Sequence, residues 1–192
     1  MIRLDFLKLL LLSAIWGGSF LFMRVASPEF GPIFLIWTRV ALATAFLSPV
    51  LLRPEVRRDL KENPGRMLRL GVFNAAIPWC LLAYAVLSLE AGFTSLLNAA
   101  TPIFAAIIGF LWLRLPLTKL QQLGLLIGII GVAILAWDQI LPGENNRALA
   151  IAATLLATIC YGYASPVSYT HLRAHETDSY LVCRLLLEKK KK

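Results

Sequence analysis

The stretch Phe93-Thr-Ser-Leu-Leu-Asn-Ala-Ala-Thr-Pro-Ile-Phe-Ala-Ala-Ile-Ile-Gly-Phe-Leu-Trp-Leu113 contains no Lys, Arg, Asp or Glu. Wound as an α-helix at 1.5 Å per residue, it reaches about 31 Å, the thickness of the hydrocarbon core of a bilayer. A continuous apolar run of this length selects a membrane helix over the short alternating segments of a β-barrel. The whole chain has the same character. Of 192 residues, 58% are hydrophobic and 16% charged, with a mean hydropathy of +0.71. Average soluble domains have about 45–50% apolar and about 25% charged residues. The fold class that follows is all-α integral membrane, a polytopic helical bundle with the lipid bilayer as its main partner.

Outward from this run, six spans are predicted, at about 6–26, 32–52, 70–89, 93–113, 120–137 and 148–166. Ser27-Pro-Glu-Phe-Gly-Pro32 reads as a tight turn, Glu90-Ala-Gly92 as a minimal hairpin, and Thr118 as an N-cap. The N-terminus reads as an uncleaved first helix, because further spans follow it and no small-x-small cleavage site is clear.

The formal charge of +8 is placed unevenly. Arg3, Lys8, Arg53, Arg57, Arg58, Lys61, Arg66, Arg69, Arg114 and Lys119 fall on one side of the spans, against Arg24 and Arg147 on the other. The positive-inside rule accounts for this excess without nucleic acid, and it predicts a cytoplasmic N-terminus. Cys80, Cys160 and Cys183 have no metal-ligand or CxxC spacing, so no metal, cofactor or disulfide is indicated. An odd number of crossings before residue 138 means that a second copy of the five-helix unit would be inverted relative to the first, as in many secondary transporters. Leu11–Ser19 and Leu155–Ser165 share an apolar run, an aromatic, then glycine and serine. Residues 1–138 therefore read as a first repeat, and 139–166 as an outer loop and the start of a second.

The polar stretch Val167-Ser-Tyr-Thr-His-Leu-Arg-Ala-His-Glu-Thr177 has no membrane character. His171 and His175, four apart with Glu176 beside them, have the spacing of metal ligands on a helix. The competing reading is that the stretch resembles one translated frame of a transposase-based sequencing adapter. Leu181–Glu188 continue in the same frame, and the closing lysines match poly-A. Residues 167–192 are accordingly set aside as non-native, which leaves thirteen basic and eight acidic residues in 1–166 and no histidine. On this reading the chain is cut inside or just after its sixth helix.

Several motifs carry a family resemblance across about Leu9 to Pro166: Ala14-Ile-Trp-Gly-Gly-Ser-Phe20, Gly31-Pro32 with Trp37-Thr-Arg39, Ala99-Ala-Thr-Pro-Ile-Phe104, and Leu117-Thr118…Gln121…Gly124…Gly128…Gly131-Val132. In order and spacing they resemble the drug/metabolite transporter superfamily, and within it the EamA-type permeases. The resemblance implies ten helices in two inverted five-helix repeats, in the bacterial inner membrane, moving metabolites, amino acids or drugs. One departure is Arg114-Leu-Pro-Leu-Thr118, with Leu115 where the family often has glutamate. The other is the missing C-terminal repeat.

Candidate residues follow from polarity at membrane depth. Arg39 is the one charge well inside a span; it either meets a substrate or gate, or snorkels outward to pair with Glu29 or Glu90. Ser19, Thr38, Asn74, Asn98 and Thr101 either join helices or line a substrate path. Trp16, Trp79, Tyr84 and Tyr161 are aromatics able to stack on a ligand, Trp16 and Trp79 being the two placed as cavity walls. Trp112 and Trp137 fit an interfacial belt. Pro78 and Pro102 each remove a helix hydrogen bond, kinking the helix or freeing carbonyls. Gly124, Gly128 and Gly131 form a stripe for close helix packing. No catalytic residue is indicated. The expected function is a permease or exporter of small organic solutes, with a non-transporting membrane assembly protein or, less readily, an intramembrane enzyme as alternatives. The enzyme would need a nucleophile–base pair or metal ligands that the spans lack. A small dimeric multidrug exporter would need an acid embedded in the membrane, and none is present.

Overall fold

The computed structural model describes residues 2–114, 116–137 and 146–164, and among them every regular element is a helix. α1 spans Ile2–Phe30 and α2 Pro32–Leu47, the latter closed by a 3₁₀ turn, Ser48–Leu52. Two short helices follow, α3 at Pro54–Glu62 and α4 at Pro64–Gly71. A π turn, Val72–Ala76, joins α4 to α5 at Ile77–Ser88. Then come α6 (Ala91–Asn98), α7 (Thr101–Leu113), α8 (Lys119–Trp137) and α9 (Asn146–Ala164). These elements make six runs long and apolar enough to cross a membrane: Asp5–Phe30, Pro32–Leu52, Pro64–Ser88, Ala91–Trp112, Lys119–Trp137 and Asn146–Ala164. The protein is thus an all-α, polytopic membrane protein. The adapter-like stretch 167–192, with His171, His175 and Cys183, lies outside the described residues.

Four local expectations need correction. The turn after the first span is not six residues long, because α1 continues through Pro28 to Phe30 and the reversal rests on Gly31 alone. Gly31 adopts φ +76°, a conformation open to glycine at little cost, and its N–H still donates to Ser27 O at 3.0 Å. The third span begins at Pro64 and not at Leu70, since proline in the first turn gives up an N–H that would be unbonded there in any case. The fourth span is not continuous: α6 stops at Asn98 and α7 restarts at Thr101. The sixth begins at Asn146, two residues before the apolar run itself. By contrast, Thr118 caps α8 as its sequence suggests. Its Oγ1 accepts from Gln121 N–H at 3.3 Å, while Gln121 Oε1 accepts from Thr118 N–H at 2.9 Å, a reciprocal box.

Packing is uneven, as expected where lipid replaces water. α1, α2 and α8 carry most of the exposed large apolar side chains, among them Phe22, Phe46 and Leu120. α9 is the enclosed helix: 44% of its span is buried, whereas Ala136 is the one buried residue of α8. Small residues allow this. Ala150, Ala153, Ala157 and Ala164 are buried, and Thr154 and Thr158 turn their hydroxyls back onto Ala150 O and Leu155 O. Gly162 meets α7 so closely that an added Cβ would stand 2.9 Å from Ala105 N and Phe104 C. Ala157 joins Phe20, Met23, Leu82 and Val86 in one core cluster, and Ala150 and Ile151 join Leu89 and Leu97 in the other. At the end away from the basic residues, Arg24 ties α1 to α5 by donating to Val86 O and, at 2.9 Å, to Leu87 O. It thereby satisfies carbonyls that the end of α5 leaves open.

Candidate functional site

A cavity of about 800 Å³ lies among α1, the π turn, the α6–α7 break and α9. Its walls include Trp16, Phe20, Asn74, Asn98, Thr101 and Tyr161. Counted along their helices from the ends at Phe30, Ser88 and Ala91, Trp16, Asn74 and Asn98 lie about 21, 21 and 10 Å deep. The cavity is therefore central in a core about 30 Å thick. Four of the expected path residues meet here: Trp16, Asn74, Asn98 and Thr101. Tyr161 joins them from the far end of the sequence, with Pro102 in the same wall.

The chemistry of these walls follows from a repeated local pattern. Asn74-Ala-Ala-Ile-Pro78 and Asn98-Ala-Ala-Thr-Pro102 are the same five-residue word with one substitution, and they sit in consecutive spans. Proline has no N–H, so the carbonyl four residues earlier, that of the asparagine, loses its helical donor. Near Pro102 the repair is local: Thr101 Oγ1 donates to Asn98 O at 2.7 Å, and Ala100 N–H turns to Leu97 O at 3.0 Å. Near Pro78 the helix instead widens into the π turn that holds Asn74. Pro102 thus stands at the start of a resumed helix, α7, whereas Pro78 follows the π turn inside the continuous helical run Pro64–Ser88. Asn98 Oδ1 is buried without a hydrogen-bond partner among the described residues, as is Ser19 Oγ. The asparagine–proline spacing was visible in the sequence and would have picked out both asparagines as one set.

The remaining candidates fall elsewhere. Ser19, Thr38 and Arg39 line a groove of about 660 Å³ between α1 and α2. Thr38 spends its hydroxyl on Phe34 O at 2.9 Å. The Arg39 guanidinium lies over the Trp79 ring, 4.0 Å from its centroid. Among the described residues it forms no ion pair with Glu29 or Glu90. Trp79 packs against the first core cluster and carries Arg39 on its face. It does not line the central cavity. Tyr161 packs against the same core cluster as Trp79. Tyr84 is 40% exposed and lines neither space. Of the glycine stripe, Gly128 alone meets a neighbour, Ile103 on α7, whereas Gly124 and Gly131 face open space.

The central cavity presents amide and hydroxyl groups and aromatic faces, with no charged side chain among the described residues of its wall. Among the described residues no cluster of His, Cys, Asp or Glu could hold a metal ion. Six apolar crossings, four of which line a neutral polar cavity, with one of these broken and another widened beside it, define a polytopic membrane protein with a polar space inside the bundle. The chain belongs to the EamA-like transporter family, whose model matches residues 5–137. Proteins of this family are in general transporters and not enzymes.

Among curated proteins, the chain is similar to an uncharacterized transporter of Archaeoglobus fulgidus, 23% identical over 144 residues that cover 75% of this chain and 51% of the relative. It is also similar to Protein PagO of Salmonella typhimurium, 24% identical over 155 residues, covering 79% and 50%. An uncharacterized transporter in the trpA 3′ region of Buchnera aphidicola is 26% identical over 166 residues, covering 82% and 53%. The chain thus spans about half the length of the curated relatives it matches. No solved structure gives a significant match.

Proposed function

We propose that this chain is the N-terminal part of a secondary transporter for small organic solutes, and that the central cavity lies on the solute path. The observation that carries the reading is the convergence of Asn74, Asn98, Thr101, Trp16 and Tyr161 on one cavity at mid-depth. Interrupted helices at that depth are where transporters of inverted-repeat design bind their solutes. Neutral amides and aromatic faces suit metabolites, amino acids or drugs held by hydrogen bonds and stacking. The described residues of the wall include no carboxylate and no histidine.

In the same reading the protein resides in a bacterial inner membrane with its N-terminus in the cytoplasm, supported by the ten basic residues on one side of the spans. Residues 1–138 form the first repeat, and α9 opens an inverted second repeat whose remainder a longer protein supplies. The half-length coverage of the curated relatives supports this. The test is a solute counterflow screen in proteoliposomes made with the full-length gene product. Any solute that is carried should lose about tenfold or more in flux in the Asn98→Ala variant, the scale expected where a buried polar contact to solute is removed. Unchanged flux in that variant would remove the cavity from the path.

A further inference from the structure

A second cavity, of about 680 Å³, opens at the Lys/Arg-rich end of the bundle, where the first turn of α4 meets the last turns of α7 and α9. One wall is aromatic. Tyr163 stacks on Trp112 with ring centroids 4.9 Å apart and 24° between their planes, and it tilts against Phe73 at 5.0 Å. The same cavity is lined by Arg66 and Arg69. Arg69 is steadied by donation from Nε–H to Gly65 O at 3.3 Å, which leaves its terminal amino groups available. A single acid, Glu62, borders the space, and its carboxylate is taken by Arg58 Nε at 3.2 Å. Among the described residues, neither Arg66 nor Arg69 forms an ion pair.

Two guanidinium groups with no ion-pair partner among the described residues, beside an aromatic wall, call for an anion with an apolar attachment. The planar fork of arginine matches phosphate oxygens in pairs. Depth selects the source of that phosphate. The span Pro64–Ser88 starts here, and Ala91–Trp112 and Asn146–Ala164 reach their ends here. The cavity therefore lies where the hydrocarbon core gives way to headgroups and where tryptophan and tyrosine rings collect. At that level the phosphate at highest local concentration is that of the bilayer itself, and basic clusters there attract anionic lipid.

We propose that this cavity binds the phosphate of an anionic phospholipid headgroup. Arg66 and Arg69 grip the phosphate oxygens, and the glycerol and first methylenes lie against Trp112 and Tyr163. The site is separate from the solute path and stands or falls independently of it.

The test is native mass spectrometry of the purified chain, released from neutral detergent after exposure to equimolar phosphatidylglycerol and phosphatidylcholine. The expected result is preferential retention of phosphatidylglycerol, falling about fivefold for each arginine removed in R66Q and R69Q. The R53Q/R57Q variant changes charge equally but away from the cavity, and it should keep the preference. Helical content by circular dichroism accompanies each variant, and the single variants decide the question should the combined R66Q/R69Q variant fail to fold. Equal retention of the two lipids, or equal loss in R53Q/R57Q, overturns the site. Displacement of the lipid by millimolar glycerol 3-phosphate overturns the lipid assignment in favour of a soluble phosphate ester.

Discussion

At the scale of single residues, the two asparagine–proline words explain most of the cavity. Pro102 withdraws a donor from Asn98 O, and Thr101 Oγ1 replaces it at 2.7 Å. Thr101→Val should therefore leave a carbonyl unpaired inside the bundle, at a cost of about 1–2 kcal/mol. Adding Pro102→Ala restores a backbone N–H to that carbonyl and should recover most of the loss. Denaturant unfolding of the four variants in detergent micelles checks this, and a Pro102→Ala change that fails to rescue would count against the repair. The Arg39–Trp79 stack is open to the same kind of cycle. A cation–π contact of this geometry is worth about 0.5–2 kcal/mol. The Arg39→Gln and Trp79→Leu losses should thus be less than additive by that amount, and strict additivity would mean the stack contributes nothing. Sequence reading found Arg39, Trp79, Asn74 and Asn98 individually, because polarity inside an apolar run is visible letter by letter. It could not find which of them meet. That depends on how each helix is rotated about its axis, which packing against other helices decides.

At the scale of elements, the number of spans was legible and their internal breaks were not. An uncharged run of twenty residues is a one-dimensional signal of a crossing. A break such as Asn98–Thr101 leaves the run apolar and so does not show in hydropathy. The role of α9 was equally hidden. It is rich in alanine and threonine, and for that reason it can enter the centre of the bundle, where bulkier helices would not fit. Gly162 marks its closest approach, with backbone atoms of α7 at 2.9 Å from where a Cβ would stand. Because no side-chain rotation can relieve that contact, Gly162→Ala should destabilise by about 1–3 kcal/mol. The control is Gly131→Ala, whose Cβ would meet nothing within 4 Å. It should be neutral or slightly stabilising, since alanine is the better helix former. Thermal melting of both variants in micelles gives the comparison, and equal melting temperatures would mean that α9 does not pack as described.

At the scale of the whole molecule, the bundle has an enclosed part around α9, to which α1 contributes Trp16 and Phe20, and a lipid-facing part formed by α2, α8 and the exposed face of α1. The central cavity belongs to the first, and its polar walls imply access to water, whereas Ile127 on α8 is 61% exposed on an apolar face and should see only lipid. Cysteine labelling separates the two directly. In a background with Cys80, Cys160 and Cys183 replaced by alanine, Asn74→Cys, Asn98→Cys and Ile127→Cys are introduced singly and treated in sealed membranes with a charged methanethiosulfonate. Reaction at positions 74 and 98, with position 127 inert, is the expected result. An Asn98→Cys thiol as unreactive as that at position 127 would contradict a water-accessible solute path at the centre of the fold.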